Sequence, residues 1–150
     1  MAKVFLFIGL TVLLGSFKNH NSNNVSIEID WEQLSSVTFK ESWSNKYKMK
    51  TQKPVFDAAI KNLDGKQISI TGFLIPITTY GNEYVISANP YAGCYFCGNA
   101  GIESIIELKF ENNNIRFKTD RHSTIEGKLQ LSENSDNEFI YVLQNAREVK

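Results

Sequence analysis

The chain has 150 residues, 42% of them hydrophobic, with 16 Lys plus Arg balancing 16 Asp plus Glu and only two cysteines. A length of this order supports one domain with a real core and no need of disulfide staples. The balanced charge supplies no strong overall field, which argues against a nucleic-acid-binding or polybasic membrane protein.

The N-terminus reads as an export signal. Lys3 gives a positive start, Val4 to Leu14 are apolar except for Gly9 and Thr11, and Gly15-Ser16 are small residues near a cleavage point. The run is shorter than the roughly 20 residues that span a bilayer, so no permanent membrane span is expected. Residues 1–17 are thus assigned as signal peptide, 18–28 as a flexible Asn- and Lys-rich tether, and 29–150 as a single domain. The expected location is exported, periplasmic or extracellular, where disulfides are chemically permitted.

Asp30 is placed to cap a short helical turn through Trp31 to Leu34, with Gln33 completing a capping box and Trp31 as a lid on the core. Val37, Phe39, Trp43, Tyr47 and Met49 then recur among polar residues, predicting one half-buried strand whose lysines protect a wet edge. Pro54, Phe56, Ala59, Ile60 and Leu63, closed by Gly65, predict a helix over 54–64. Gln67 to Ile77 reads as a strand, with Gly72 as a bulge and Pro76 at its end.

Short strands follow: Tyr84 to Ala88 after a Tyr80-Gly81-Asn82 turn, Ile105 to Phe110 and Ile115 to Lys118 around an Asn112-Asn113-Asn114 tip, then Thr124 to Leu131 and Phe139 to Gln144. The pattern is mainly β. It predicts a small curved antiparallel barrel of the oligonucleotide/oligosaccharide-binding (OB) type, with about six strands and one short helix. An open sandwich is the other architecture compatible with it.

Cys94 and Cys97 stand in the run Pro90-Tyr91-Ala92-Gly93-Cys94-Tyr95-Phe96-Cys97-Gly98-Asn99. A crosslink closing so short a loop restrains the unfolded chain by only about 2 kcal/mol, so it suits local shaping better than bulk stability. Three readings stay open. A local disulfide would rigidify a partner-binding surface made by Tyr91, Tyr95, Phe96 and Asn99. A soft-metal site would take zinc or copper on Cys94 and Cys97, completed by His122, His20, or carboxylates such as Glu103 and Asp120. A dithiol redox centre would need a stabilised thiolate, yet no Lys, Arg or His lies between Asn89 and Gly101.

No catalytic residue set emerges. There is no Gly-x-Ser-x-Gly elbow and no phosphate-cradling glycine loop, and the sequence alone assigns no role to Arg116 or Arg121. The favoured partner is an unidentified envelope protein or small ligand. Nucleic acid is not expected, because Tyr47 among Lys46, Lys48 and Lys50 is the only basic-aromatic patch.

Trp31-Glu32-Gln33-Leu34, Pro54-Val55-Phe56-Asp57, Leu63-Asp64-Gly65-Lys66, Ile70-Thr71-Gly72-Phe73-Leu74-Ile75-Pro76 and the Pro90-to-Cys94 loop together resemble a family of exported bacterial proteins of unknown function. The resemblance spans roughly residues 30 to 145 and implies an OB-like barrel acting as an accessory to envelope processes, such as metal handling beside transport systems. This chain looks like a divergent branch. Where the better-known form has a histidine and a proline-rich stretch soon after its cysteine, this sequence has Tyr95-Phe96-Cys97-Gly98-Asn99, so only Cys94 matches.

Overall fold

A computed structural model describes residues 25–78, 83–112, 115–134 and 136–149. The expected signal peptide, most of the tether and the Tyr80-Gly81-Asn82 turn lie outside the described residues. In chain order the elements are β1 (Ile27–Glu28), α1 (Trp31–Ser35), β2 (Thr38–Ser44), β3 (Met49–Val55), α2 (Ala58–Lys61), β4 (Gln67–Pro76), β5 (Tyr84–Ser87), β6 (Ile105–Phe110), β7 (Arg121–Leu131) and β8 (Tyr141–Glu148).

Five strands close on themselves in the order β4-β5-β6-β8-β7 and back to β4. The β6–β8 pairing is parallel and the other four are antiparallel, so the barrel is mixed rather than wholly antiparallel. Its third and fifth strands are the parallel pair, the connectivity of an OB-type Greek-key barrel. The alternation in Ile125, Gly127 and Leu129 puts all three inside, against Ile68 and Ile70 of β4. β1 adds a parallel strand to β4 through Ile27 and Ser69's neighbour Ile68, which brings the fold's start into the span expected to be tether.

Closure requires a sharp bend, and the structure makes it in β8. Lys128 pairs with Gln144 and Glu126 with Arg147, so β8 carries one residue more than β7 across that interval. Asn145 takes φ 53° there, a left-handed conformation that asparagine tolerates. Gly127 lies opposite, where a Cβ would stand 2.7 Å from the Gln144 carbonyl oxygen. Gly72, expected as the bulge, sits in unbroken register with β7 opposite Ser123; its lack of a side chain serves close approach instead.

The helical caps behave as their chemistry dictates. Asp30 accepts from the Gln33 N–H and Gln33 Oε1 accepts from the Asp30 N–H, a complete capping box. Pro54, however, belongs to β3, and α2 begins only after Asp57, whose carboxylate accepts from the Ile60 N–H at 2.8 Å. An aspartate cap satisfies a free helical N–H, whereas Pro54 pairs opposite Phe39 in a hairpin. Gly65 ends the connection at φ 71°, as the expected turn requires.

Two other expectations fail for identifiable reasons. The single strand expected over Val37 to Lys50 folds back at residues 45–48 into the β2–β3 hairpin, with Lys48 at φ 55°. Apart from Val37, which is buried in the core, its supposed buried face is exposed, because the hairpin pairs with no barrel strand. Residues 115–118 form no strand. Instead the Phe117 N–H donates to the Tyr84 hydroxyl at 2.9 Å and its ring packs edge-on against Tyr84 at 5.4 Å, so that segment folds over the barrel rather than pairing with β6.

The main core joins barrel and helices. Leu34 of α1 and Ile60 of α2 are fully buried within it, each contributing about 1.5–3 kcal/mol by leaving water. Trp31 packs against the same cluster and donates its indole N–H to the Thr71 carbonyl at 2.8 Å. Tyr141 is buried and donates its hydroxyl to the Leu34 carbonyl at 2.8 Å, which ties α1 to β8.

Candidate functional site

The connection from β5 to β6 holds both cysteines, and its own backbone hydrogen bonds order it. Its ends meet where the Ala88 N–H donates to the Ser104 carbonyl at 3.0 Å. Between them run three single 3-10 turns, Tyr91–Gly93, Tyr95–Cys97 and Ile102–Ser104. Glycine and asparagine hinder longer helices here, and each short turn closes with an i to i+3 bond, such as Cys97 N–H to Cys94 carbonyl at 3.1 Å. A loop with joined ends and internal packing is an Ω-loop.

Two side-chain contacts hold its shape. The Asn99 amide donates to the Ala92 carbonyl at 3.0 Å. Asp120, just before β7, accepts from the Tyr91 N–H at 2.7 Å through its carboxylate, while its own N–H reaches the Leu74 carbonyl at 3.0 Å. Asp120 adopts φ 63°, and its side chain acts as a peg for the loop. The only advance signal was an aspartate beside the start of a strand, where side-chain bonds to backbone are common.

The two cysteines have different surroundings. Cys94 is fully buried in a second apolar cluster with Ile75, Val85, Ile105 and Phe139. Cys97 is exposed, and its thiol donates to the Tyr91 carbonyl at 3.1 Å. Both are free thiols. Desolvation pushes the Cys97 thiol above its ordinary pKa, with the charge and hydrogen bonding of Cys94 adding to the effect. A raised pKa lowers the thiolate fraction, the form that attacks a disulfide.

Around Cys97 the loop shows its aromatic residues to solvent. Tyr91, Tyr95 and Phe96 are 49%, 39% and 42% exposed, and the Tyr95 and Phe96 rings meet edge to face at 5.6 Å. Gly98 takes φ 73° with open space beside it, whereas Gly93 and Gly101 keep negative φ.

The expected metal set does not come together. His122 lies exposed on β7, paired with Phe73 and touching its ring at 4.9 Å. Among the described residues no three His, Cys, Asp or Glu side chains gather closely enough to hold a metal ion, and His20 is outside them. Arg121 does find partners: it pairs with Glu148 at 2.6 Å and lies over the Phe117 ring at 5.4 Å. Among the described residues no helix is long and apolar enough to cross a membrane.

Comparison with known structures places the fold beside the 2.45 Å crystal structure of a DUF3299 family protein from Pseudomonas aeruginosa PAO1. The two share a TM-score of 0.50 and 19% identity, covering 83% of this chain and 97% of that chain. At such identity the likeness concerns the fold. No protein-family model matches the chain, and no curated protein does so.

Proposed function

We propose that this protein is an exported envelope accessory domain, periplasmic or extracellular, that binds a partner protein or small ligand through the loop containing Cys94 and Cys97. The observation that supports this is the division of labour within the loop: Cys94 anchors it in an apolar cluster while Cys97, Tyr91, Tyr95 and Phe96 face solvent. Aromatic side chains on a pre-ordered loop lose little freedom on docking. Non-catalytic binding also accords with the protonated state favoured for Cys97.

In an oxidising compartment we assign the pair a local disulfide. Cys94 and Cys97 flank one hydrogen-bonded turn, and because Cys94 is buried while the Cys97 thiol faces the Tyr91 carbonyl, the bridge needs Cys97 to swing toward Cys94. The two thiols would give up two protons and two electrons to a disulfide oxidant of that compartment, and Cys97 would release the Tyr91 carbonyl.

Intact mass spectrometry of the protein from its native compartment, with and without reductant and chelator, tests the proposal. The expected result is a chain lacking its first 17 or so residues, about 2 Da lighter before reduction and unchanged by chelator. An intact N-terminus with two reduced thiols would overturn it, and a chelator-sensitive zinc or copper adduct would replace the disulfide by a metal.

A further inference from the structure

The β2–β3 hairpin serves neither the barrel core nor the cysteine loop. Its strands pair only with each other, and of residues 38–55 only Ser44 and Pro54 are buried. Ser44 fastens it to the β7–β8 connection by a hydrogen bond to the Asp136 carboxylate and accepts the Tyr47 N–H at 3.0 Å. Beside that clasp and in the turn beyond it stand Trp43, Tyr47 and Met49, which are 60%, 51% and 57% exposed, Trp43 at the mouth of a hollow it shares with Glu133 and Asp136.

The placement of these three side chains narrows the choice of partner. Trp43 is registered opposite Lys50 and Ser44 opposite Met49, so Trp43 and Met49 project from opposite faces while Tyr47 sits in the turn. A flat protein surface or a stacked base covers one face of a ribbon. A lipid interface surrounds a tip from all sides, and Trp and Tyr are the residues that favour that depth.

Charge points the same way. Although the whole chain is balanced, the segment from Lys40 to Lys53 has five lysines and one acidic residue, Glu41. Lys50 pairs with Glu41 at 3.0 Å with both side chains well exposed, a weak surface contact that leaves the lysine's charge available. Lys46 donates to the Asp136 carbonyl at 3.3 Å and lies near the Asp136 and Glu138 carboxylates, which temper its charge. Lys48 and Lys50 are therefore the lysines best placed to meet anionic headgroups.

We propose that the β2–β3 hairpin tip is a peripheral anchor that seats Trp43, Tyr47 and Met49 in the interface of an anionic lipid bilayer, with Lys48 and Lys50 against its headgroups. This is independent of the state of the cysteines. It makes the lysine row a contact surface rather than the protected edge favoured from the sequence.

The test is co-sedimentation of the full chain with phosphatidylglycerol/phosphatidylcholine vesicles and with phosphatidylcholine alone, comparing variants in one background so that any N-terminal contribution is common to all. Lys48→Gln with Lys50→Gln is expected to reduce partition to the anionic vesicles about 25-fold, near fivefold per lysine. Trp43→Ser with Met49→Ser should reduce it further and remove the lipid-induced blue shift of tryptophan emission. Both variants should keep the parent melting temperature, because the altered side chains are exposed. Equal partition of parent and variants would overturn the proposal, as would tip-dependent dimerisation in sedimentation velocity or tip-dependent binding of duplex DNA without a vesicle effect.

Discussion

Gly72→Ala tests whether the barrel's closure and its tryptophan lid depend on one missing methyl group. A Cβ at that position would stand 2.5 Å from the Ser87 carbonyl oxygen, 3.0 Å from Ile86 Cγ1 and 3.2 Å from Trp31 Cζ2. The first of these is backbone of the neighbouring strand, joined to β4 through the Phe73 to Ser87 register, and cannot swing aside as a side-chain end can. The strands must separate locally by about half an ångström or more, and Trp31 must lift. Overpacking of this kind costs roughly 1–3 kcal/mol, and weakening the Trp31 bond to the Thr71 carbonyl adds about 0.5–1.5 kcal/mol. For a domain of this size a loss of about 3 kcal/mol lowers Tm by roughly 10 °C. Urea and thermal unfolding followed by tryptophan emission measure it. Gly98→Ala is the internal comparison: nothing lies within 4 Å of its Cβ, and only its φ of 73° is unfavourable, at about 1–2 kcal/mol. A Gly72→Ala loss no larger than that of Gly98→Ala would refute the close-approach argument.

Other substitutions probe the remaining links. Tyr141→Phe removes the donor to the Leu34 carbonyl, and leaving that buried acceptor unpaired should cost about 1–3 kcal/mol in urea unfolding. Burial raises the Tyr141 pKa, with Glu103 and Asp57 adding to it; the phenol's stabilising contribution is therefore whole below its ordinary pKa and lost as pH rises above it. An alkaline decline in Tm that disappears in Tyr141→Phe is expected. The Asp57 pKa is lowered, chiefly by the Ile60 N–H and then by the Ser36 hydroxyl. Its contribution is present above the ordinary carboxylate pKa and fades as pH falls through the depressed value, so the Tm gap between parent and Asp57→Ala should close in acid. In the reduced protein Cys94→Ser, which puts a hydroxyl into an apolar cluster, should lower stability by about 1–3 kcal/mol, while Cys97→Ser should change it little; equal losses under reducing conditions would contradict their assigned roles.

The parts of the fold written in local chemistry were legible. The Asp30 capping box, the Gly65 turn and the strand Ile105–Phe110 follow from short stretches whose preferences agree with their tertiary setting. The hairpin was not, because Phe39, Trp43 and Met49 carry the alternation of a half-buried strand while the structure leaves them exposed; periodicity reports a face but not what covers it. Residues 115–118 failed for a related reason, since Phe117 spends its hydrophobicity on Tyr84 rather than on a sheet. At the candidate site the cysteine spacing marked the loop, but spacing is silent on burial. That Cys94 points inward and Cys97 outward is set by Ile75, Val85 and Phe139, residues distant in sequence, and the Asp120 peg is likewise a long-range contact.

The most direct test of the loop's two-sided organisation is pulse labelling of the reduced, folded protein with N-ethylmaleimide, read residue by residue by mass spectrometry. A single adduct on Cys97 is predicted, its rate rising with pH to a midpoint above that of an ordinary thiol, with Cys94 reacting only once the protein unfolds. Equal labelling of both cysteines, or Cys94 reacting first, would contradict the account.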